Sequence, residues 1–208
     1  MVWGSVNVHT IVVSPGDVPP TPPPIERSTR VRYTEASGIT PREQTFDIEG
    51  ELTQDSIPNR TSIEEIEIGG AVTKIDYAAF YICKGITSVV IPDSVTSIGA
   101  YAFFHCDELA SVAIPDRVTI IGSFAFAYCI GLTNVTIGNS VTNIWANSFN
   151  GCTALASVVF DGDEPALGAD AFANVASGCK AYVDGSLPGW SQHPDGSDWN
   201  GLTIVYKS

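Results

Sequence analysis

The sequence predicts an α+β solenoid of 23-residue units, each with two short strands and a short helix or 3₁₀ turn, closed by N- and C-terminal caps. Three columns of residues carry that prediction. Ile75, Ile98, Ile121, Ile144 and Leu167 recur at this spacing, as do Phe80, Phe103, Phe126, Phe149 and Phe172. Cys83, Cys106, Cys129 and Cys152 form the third. Ahead of each turn the same period returns in Val89, Val112, Val135 and Val158, then Ile91, Ile114, Ile137 and Phe160.

A period of roughly 20 to 29 residues is that of leucine-rich-repeat solenoids, folds that present surfaces more often than they catalyse. The unit from Leu109 shows why each element forms. Val112 and Ile114 alternate with small residues, which gives a strand with one buried face. Pro115-Asp116 turns the chain. A second extended piece, Val118–Ile121, leads to Gly122. In Ser123–Cys129, Ala125, Phe126 and Cys129 fall at helical spacing, so a short helix or 3₁₀ turn is expected to pack Phe126 inward. Coils stacked at about 4.8 Å make five of them a rod about 25 Å long.

Outside the solenoid, read over 61–183, the pattern changes. Residues 1–14 alternate like a strand, with Val6, Val8, Ile11 and Val13 as anchoring candidates. A lone strand must pair with its own later chain or with another protein. Residues 15–25 form a linker with five prolines between Val18 and Pro24, a semi-rigid polyproline II spacer. Residues 26–60 are irregular, with strand candidates at Arg30–Thr34 and Gln44–Ile48, and are read as the N-terminal cap. Leu52 and Ile57 extrapolate the Ile and Phe columns backwards. Residues 184–208, with Trp190, Trp199 and Leu202–Tyr206, are read as the C-terminal cap.

Charge narrows the partners. With 23 acids against 10 bases the net charge is −13, which repels a phosphate backbone and argues against nucleic acid. No run of 18 apolar residues is present to insert in a membrane. The N-terminus carries no secretory signal pattern. Cysteines repeated at one position read as buried apolar residues rather than a disulfide framework or a metal site.

Nothing converges on catalysis. His9, His105 and His193 are far apart, and there is no nucleophile elbow, Walker loop or metal-spaced histidine pair. Asp161-Gly162-Asp163-Glu164 lacks the ligand spacing of a calcium loop and reads as a solvated turn. No enzyme, metal or cofactor is expected.

Two surfaces remain. Outward strand positions form ladders, Ser88, Ser111, Asn134 and Ser157 beside Val90, Ala113, Thr136 and Val159. Their small side chains make a flat, open sheet face. Tyr77, Tyr81, Tyr101, Phe104, Phe124, Tyr128 and Trp145 fall beside the inward Phe column, and clustered exposed aromatics mark interaction sites.

Ile91-Pro92-Asp93-Ser94-Val95-Thr96-Ser97-Ile98-Gly99, followed by Tyr101-Ala102-Phe103 and Cys106, closely resembles the BspA-type, or Treponema pallidum-type, leucine-rich repeat. The unit recurs from Ile114, and from Ile137 with Gly138-Asn139 in place of Pro-Asp. The resemblance covers roughly residues 60–183. It implies a module of bacterial surface proteins that adhere to host or extracellular components, a type also carried by some protist and virus-borne proteins. The expected function is therefore recognition or adhesion, binding a protein or glycan from a proline stalk at the bacterial or extracellular surface. The alternative is a structural decoration component, for example of a bacteriophage virion, with residues 1–14 pairing with a neighbouring subunit.

Overall fold

The computed structural model describes residues 28–34, 41–57 and 63–207. The strand and linker expectations for residues 1–25 lie outside them. Two antiparallel strands, β1 (Ser28–Thr34) and β2 (Pro41–Asp47), precede the repeats, and β1 also pairs antiparallel with β4 (Ile63–Glu67).

From there each coil contributes one strand to each of two faces. The second face is a single parallel sheet of six strands: β3 (Gly50–Leu52), β5 (Val72–Ile75), β7 (Ser97–Ile98), β9 (Ile120–Ile121), β11 (Asn143–Ile144) and β13 (Ala166–Leu167). The first face begins with β4 and β6 (Ser88–Val90). A separate sheet carries this face on in parallel through β8 (Ser111–Ile114), β10 (Asn134–Ile137), β12 (Ser157–Phe160) and β14 (Lys180–Val183). Strands pair at the 23-residue shift, Ser111 with Asn134 and Asn134 with Ser157, so like residues stack on like.

That register explains the columns. Ile75, Ile98, Ile121 and Ile144 are buried, and Leu52 pairs with Ile75 at the head of the same row. Phe80, Phe103, Phe126, Phe149 and Phe172 stack ring on ring at 5.0 to 5.2 Å. All five cysteines are free and buried. Cys106, Cys129 and Cys152 donate their thiol hydrogens to the carbonyls of Phe80, Phe103 and Phe126. Glycine is required where coils approach: a Cβ on Gly122 would stand 2.5 Å from the Ala100 nitrogen.

The expected helix is corrected. Phe126 is buried as expected, but Ser123–Cys129 is a run of turns, and the described residues hold no α-helix. Among the described residues the one 3₁₀ segment, Trp190–Gln192, lies after the repeats. Each turn holds two residues with positive φ four apart, such as Phe124 at 58° and Tyr128 at 59°. Positive φ breaks the helical path. The amides are satisfied sideways instead. Phe124, Phe126 and Tyr128 donate N–H to the Ala146, Ser148 and Asn150 carbonyls of the next coil, while Ala125, Ala127 and Cys129 close i−3 turns.

After β14 the chain does not return to the second sheet. It forms the 3₁₀ turn, then antiparallel β15 (Asp198–Trp199) and β16 (Leu202–Tyr206), with β16 pairing parallel to β14. Trp190 is buried, 5.1 Å from Phe160 and 4.8 Å from Trp199 between ring centroids. The acidic turn holds this segment. Asp161 meets Lys207 at 2.8 Å, Asp163 accepts the Gly189 N–H at 2.8 Å, and Glu164 accepts the Trp199 indole N–H at 2.7 Å.

Candidate functional site

The turn column that replaces the helix sets the aromatic edge. Successive coils place Ala78, Tyr101, Phe124, Asn147 and Asp170 at the first positive-φ position. Ile82, His105, Tyr128, Gly151 and Asn174 occupy the second. Asn, Asp and Gly accept this backbone readily, whereas bulky side chains pay a steric cost there. The last two coils use the tolerant residues, and the two coils before them use Tyr101, His105, Phe124 and Tyr128.

Those four join Tyr77, Tyr81 and Phe104 in one connected cluster. Tyr101 stacks on Phe124 at 5.0 Å with 6° between planes, and Tyr81 stacks on Phe104 at 5.2 Å with 7°. Tyr77 meets Tyr101 edge-on at 5.7 Å, and Phe104 meets Tyr128 edge-on at 5.6 Å. His105 lies flat on Tyr128 at 5.0 Å and edge-on to Phe104 at 4.8 Å. Tyr77, Tyr81 and Tyr128 are exposed, Tyr77 at 61%, while Tyr101, Phe104 and Phe124 are half-buried between them. The three exposed rings each lie against a half-buried one, Tyr77 on Tyr101 and both Tyr81 and Tyr128 on Phe104.

Charged groups border the cluster. Asp107 bridges His105 at 3.0 Å and Lys84 at 3.1 Å. At the other margin the Tyr77 backbone N–H and then Lys74, 3.2 Å away, hold the Asp76 carboxyl below the usual carboxylate range.

Trp145 stands apart from these six aromatics and makes no ring contact among the described residues. It occupies the column of Gly99, Gly122 and Gly168, is 55% exposed, and borders a shallow cavity with Asn143, Ala166, Leu167 and Gly168.

The sheet face is laid out as the ladders require. Ser88, Val90, Ser111, Ala113 and Asn134 are exposed, and Thr136, Ser157 and Val159 are half-buried. Val90 reaches 58% exposure. The ladders run on through Lys180 and Thr203, and through Tyr182 and Val205, positions the repeat pattern did not flag. Ser157 donates to Asn134 at 2.6 Å, and Asn134 to Thr133 at 2.9 Å, so part of this polarity is used internally.

Sequence reasoning named His105 only as one of three widely separated histidines and did not place it in the site. The available signal was its column: Asn or Gly recurring at the same position marks a positive-φ site, and His105 and Tyr128 share it with Gly151 and Asn174. Among the described residues no group of three His, Cys, Asp or Glu side chains could hold a metal ion, and no helix is long and apolar enough to cross a membrane.

Residues 52–178 match the family model of the BspA type leucine rich repeat region in six copies. Among solved structures, the T. pallidum leucine rich repeat protein is 28% identical with a TM-score of 0.50, over 72% of this chain and 62% of that one. The pneumococcal vaccine antigen PcpA is 20% identical with a TM-score of 0.56, over 76% of this chain and 39% of that one, a likeness of fold. The chain thus spans about three fifths and two fifths of those two proteins' lengths. No curated protein matches the chain.

Proposed function

The chain belongs to the BspA-type leucine-rich repeat family, and on that premise we propose that it is a non-enzymatic recognition module that holds a protein or glycan surface through Tyr77, Tyr81, Tyr101, Phe104, Phe124 and Tyr128. One observation carries this reading. Two coils place Tyr101, Phe124 and Tyr128 on positive-φ backbone where later coils of the same solenoid use Asn147, Gly151, Asp170 and Asn174. The fold therefore accepts cheaper residues there. Strained positions kept for bulky rings that are exposed at Tyr128 and half-buried at Tyr101 and Phe124 point to work outside folding.

The small-residue face from Ser88 to Val159 is the second contact surface, supported by its exposure and flat ladder. Residues 15–25 serve as the stalk, and the strands flanking the repeats serve as caps that cover the ends of the stack. The family resemblance supports display at a bacterial or virion surface. The alternative, a decoration component anchored through Val6, Val8, Ile11 and Val13, rests on residues outside the described ones.

Screening the full chain against immobilised extracellular proteins and a glycan array tests the proposal. A Tyr101→Asn/Tyr128→Asn variant should retain its fold by circular dichroism and lose its targets. If the variant keeps every target of the wild type, the aromatic assignment fails.

A further inference from the structure

Trp145 departs from its column in a way the fold does not require. A Cβ on Gly99 would stand 2.7 Å from the Asp76 carbonyl carbon, and one on Gly168 would collide with the Ala146 nitrogen. Gly122 is held to glycine by the same close approach of coils. The coil between Gly122 and Gly168 nevertheless carries the largest side chain at this position, and a second departure accompanies it. Ser148 is buried where Ala79, Ala102, Ala125 and Ala171 are buried in the other coils. Its hydroxyl lies 2.9 Å from the Gly122 carbonyl oxygen and also meets that of Trp145, which ties the Trp145 backbone to the coil before. The alanines can make no such bond.

The indole is free to bind. Tyr101 stacks on Phe124, Tyr81 on Phe104 and His105 on Tyr128, whereas Trp145 meets no ring among the described residues. Gly122 and Gly168, its neighbours along the column, have no side chain to cover it. The indole N–H groups of Trp190 and Trp199 donate to Gly162 and Glu164, while that of Trp145 has no acceptor among the described residues. Asn143 donates its Nδ2 to the Thr142 hydroxyl at 3.0 Å, and its Oδ1 is an unused acceptor among the described residues. Both side chains border the cavity of about 220 Å³ that Leu167 and Gly168 also line, and no lining residue is charged.

We propose that Trp145 and Asn143 hold one neutral sugar ring of a glycan. The site extends the recognition reading and uses none of its six rings. A pyranose matches each of these features. The C–H groups of its flatter face carry partial positive charge and pack on the negative face of an indole. Its hydroxyls donate and accept, which suits the free Asn143 Oδ1 and the free Trp145 N–H. A recess smaller than the roughly 300–1,000 Å³ that encloses a whole small ligand admits one unit of a longer chain. An uncharged lining on a protein of net charge −13 selects against sialylated or sulfated chains.

An array of neutral and acidic oligosaccharides, probed with the full chain, tests the site. At least one neutral hexose or N-acetylhexosamine chain should bind, and its titration should shift the Trp145 indole N–H resonance. Trp145→Gly installs the residue that three other coils use, so it should stay folded by circular dichroism and bind that chain about tenfold or more weakly. Asn143→Ala should weaken it severalfold. The Tyr101→Asn/Tyr128→Asn variant should bind it as the wild type does. Binding of no neutral chain, or binding that Trp145→Gly leaves unchanged, overturns the site. Loss of a neutral chain in the tyrosine variant alone also overturns it, because the glycan then sits on the six-ring cluster and the recognition reading stands. Protein targets lost in Trp145→Gly with no glycan bound overturn it too, because the indole is then a protein contact.

Discussion

The ring of Tyr128 lies on Gly151, the residue one coil further along in its own column. A Cβ at Gly151 would stand 2.7 Å from Tyr128 Cδ1, and both backbones have positive φ, 59° and 76°. The glycine thus does two things, adopting the left-handed turn without steric cost and leaving room for the aromatic edge above it. Gly151→Ala is expected to cost about 1–2 kcal/mol from the left-handed backbone, plus the ring displacement. Combined with Tyr128→Asn, part of that loss should return, because the clashing ring is gone, and the two changes should fail to add. Urea midpoints of the two single variants and the double variant measure the coupling.

Phe126 is the centre of the inward stack, 5.0 Å from Phe103 and 5.2 Å from Phe149 with planes within 5° of parallel. Phe126→Ala opens a cavity that the rigid coils on either side cannot close. The expected loss is about 3–5 kcal/mol by chemical denaturation. Phe124→Asn, two residues away on the edge, should stay within about 1 kcal/mol, since the gain in backbone tolerance offsets the lost ring contacts. Equal losses at the two positions would contradict the assignment of inward and outward faces.

Acid should weaken the N-terminal coils through Asp76. Its carboxyl is held below the ordinary value of 3.8 by the Tyr77 N–H and by Lys74, so the unfolded chain takes up this proton first. Its contribution is complete above that ordinary value and is lost as pH falls through the lower folded one. Asp76→Asn should flatten stability against pH in that acid window and leave the slope near neutrality unchanged. Denaturation curves collected across the window check this.

The thiols should be silent in the native protein. Burial pushes Cys129 and Cys152 well above the ordinary thiol range and Cys179 up to about 11. Mildly alkaline thiol titration should therefore label almost none of the five buried cysteines until urea unfolds the chain, when all five should react. Fast labelling of the folded protein would mean that the solenoid opens locally between coils.

Much of the fold was legible because a solenoid repeats its reasons. One register set by β10 and β12 places Val135 on Val158 and fixes every equivalent pair, so a column of Ile or Phe in the sequence is a column in space. The turn conformation was not legible from apolar spacing. Ala125, Phe126 and Cys129 satisfy a helical pattern and a turn pattern equally, and backbone bonds to the next coil decide between them. The aromatic edge was half legible. Tyr81 and Phe104 could be grouped by period, but the membership of His105 and the isolation of Trp145 depend on which way each turn projects its side chains. Asp163 and Glu164 read in the sequence as part of a solvated turn. Their role in holding Gly189 and Trp199 depends on contacts 26 and 35 residues away.

The turn column also sets the electrical character of the rod. Its inter-coil amides, such as Phe103 to Ala125 and Phe126 to Ser148, point toward the C-terminal end, while those of Thr119, Gly122 and Thr142 point back toward the N-terminal end. The peptide dipoles of the two columns therefore oppose each other, where those of an α-helix would sum. Each added coil therefore brings opposed, not summed, peptide dipoles from these two columns.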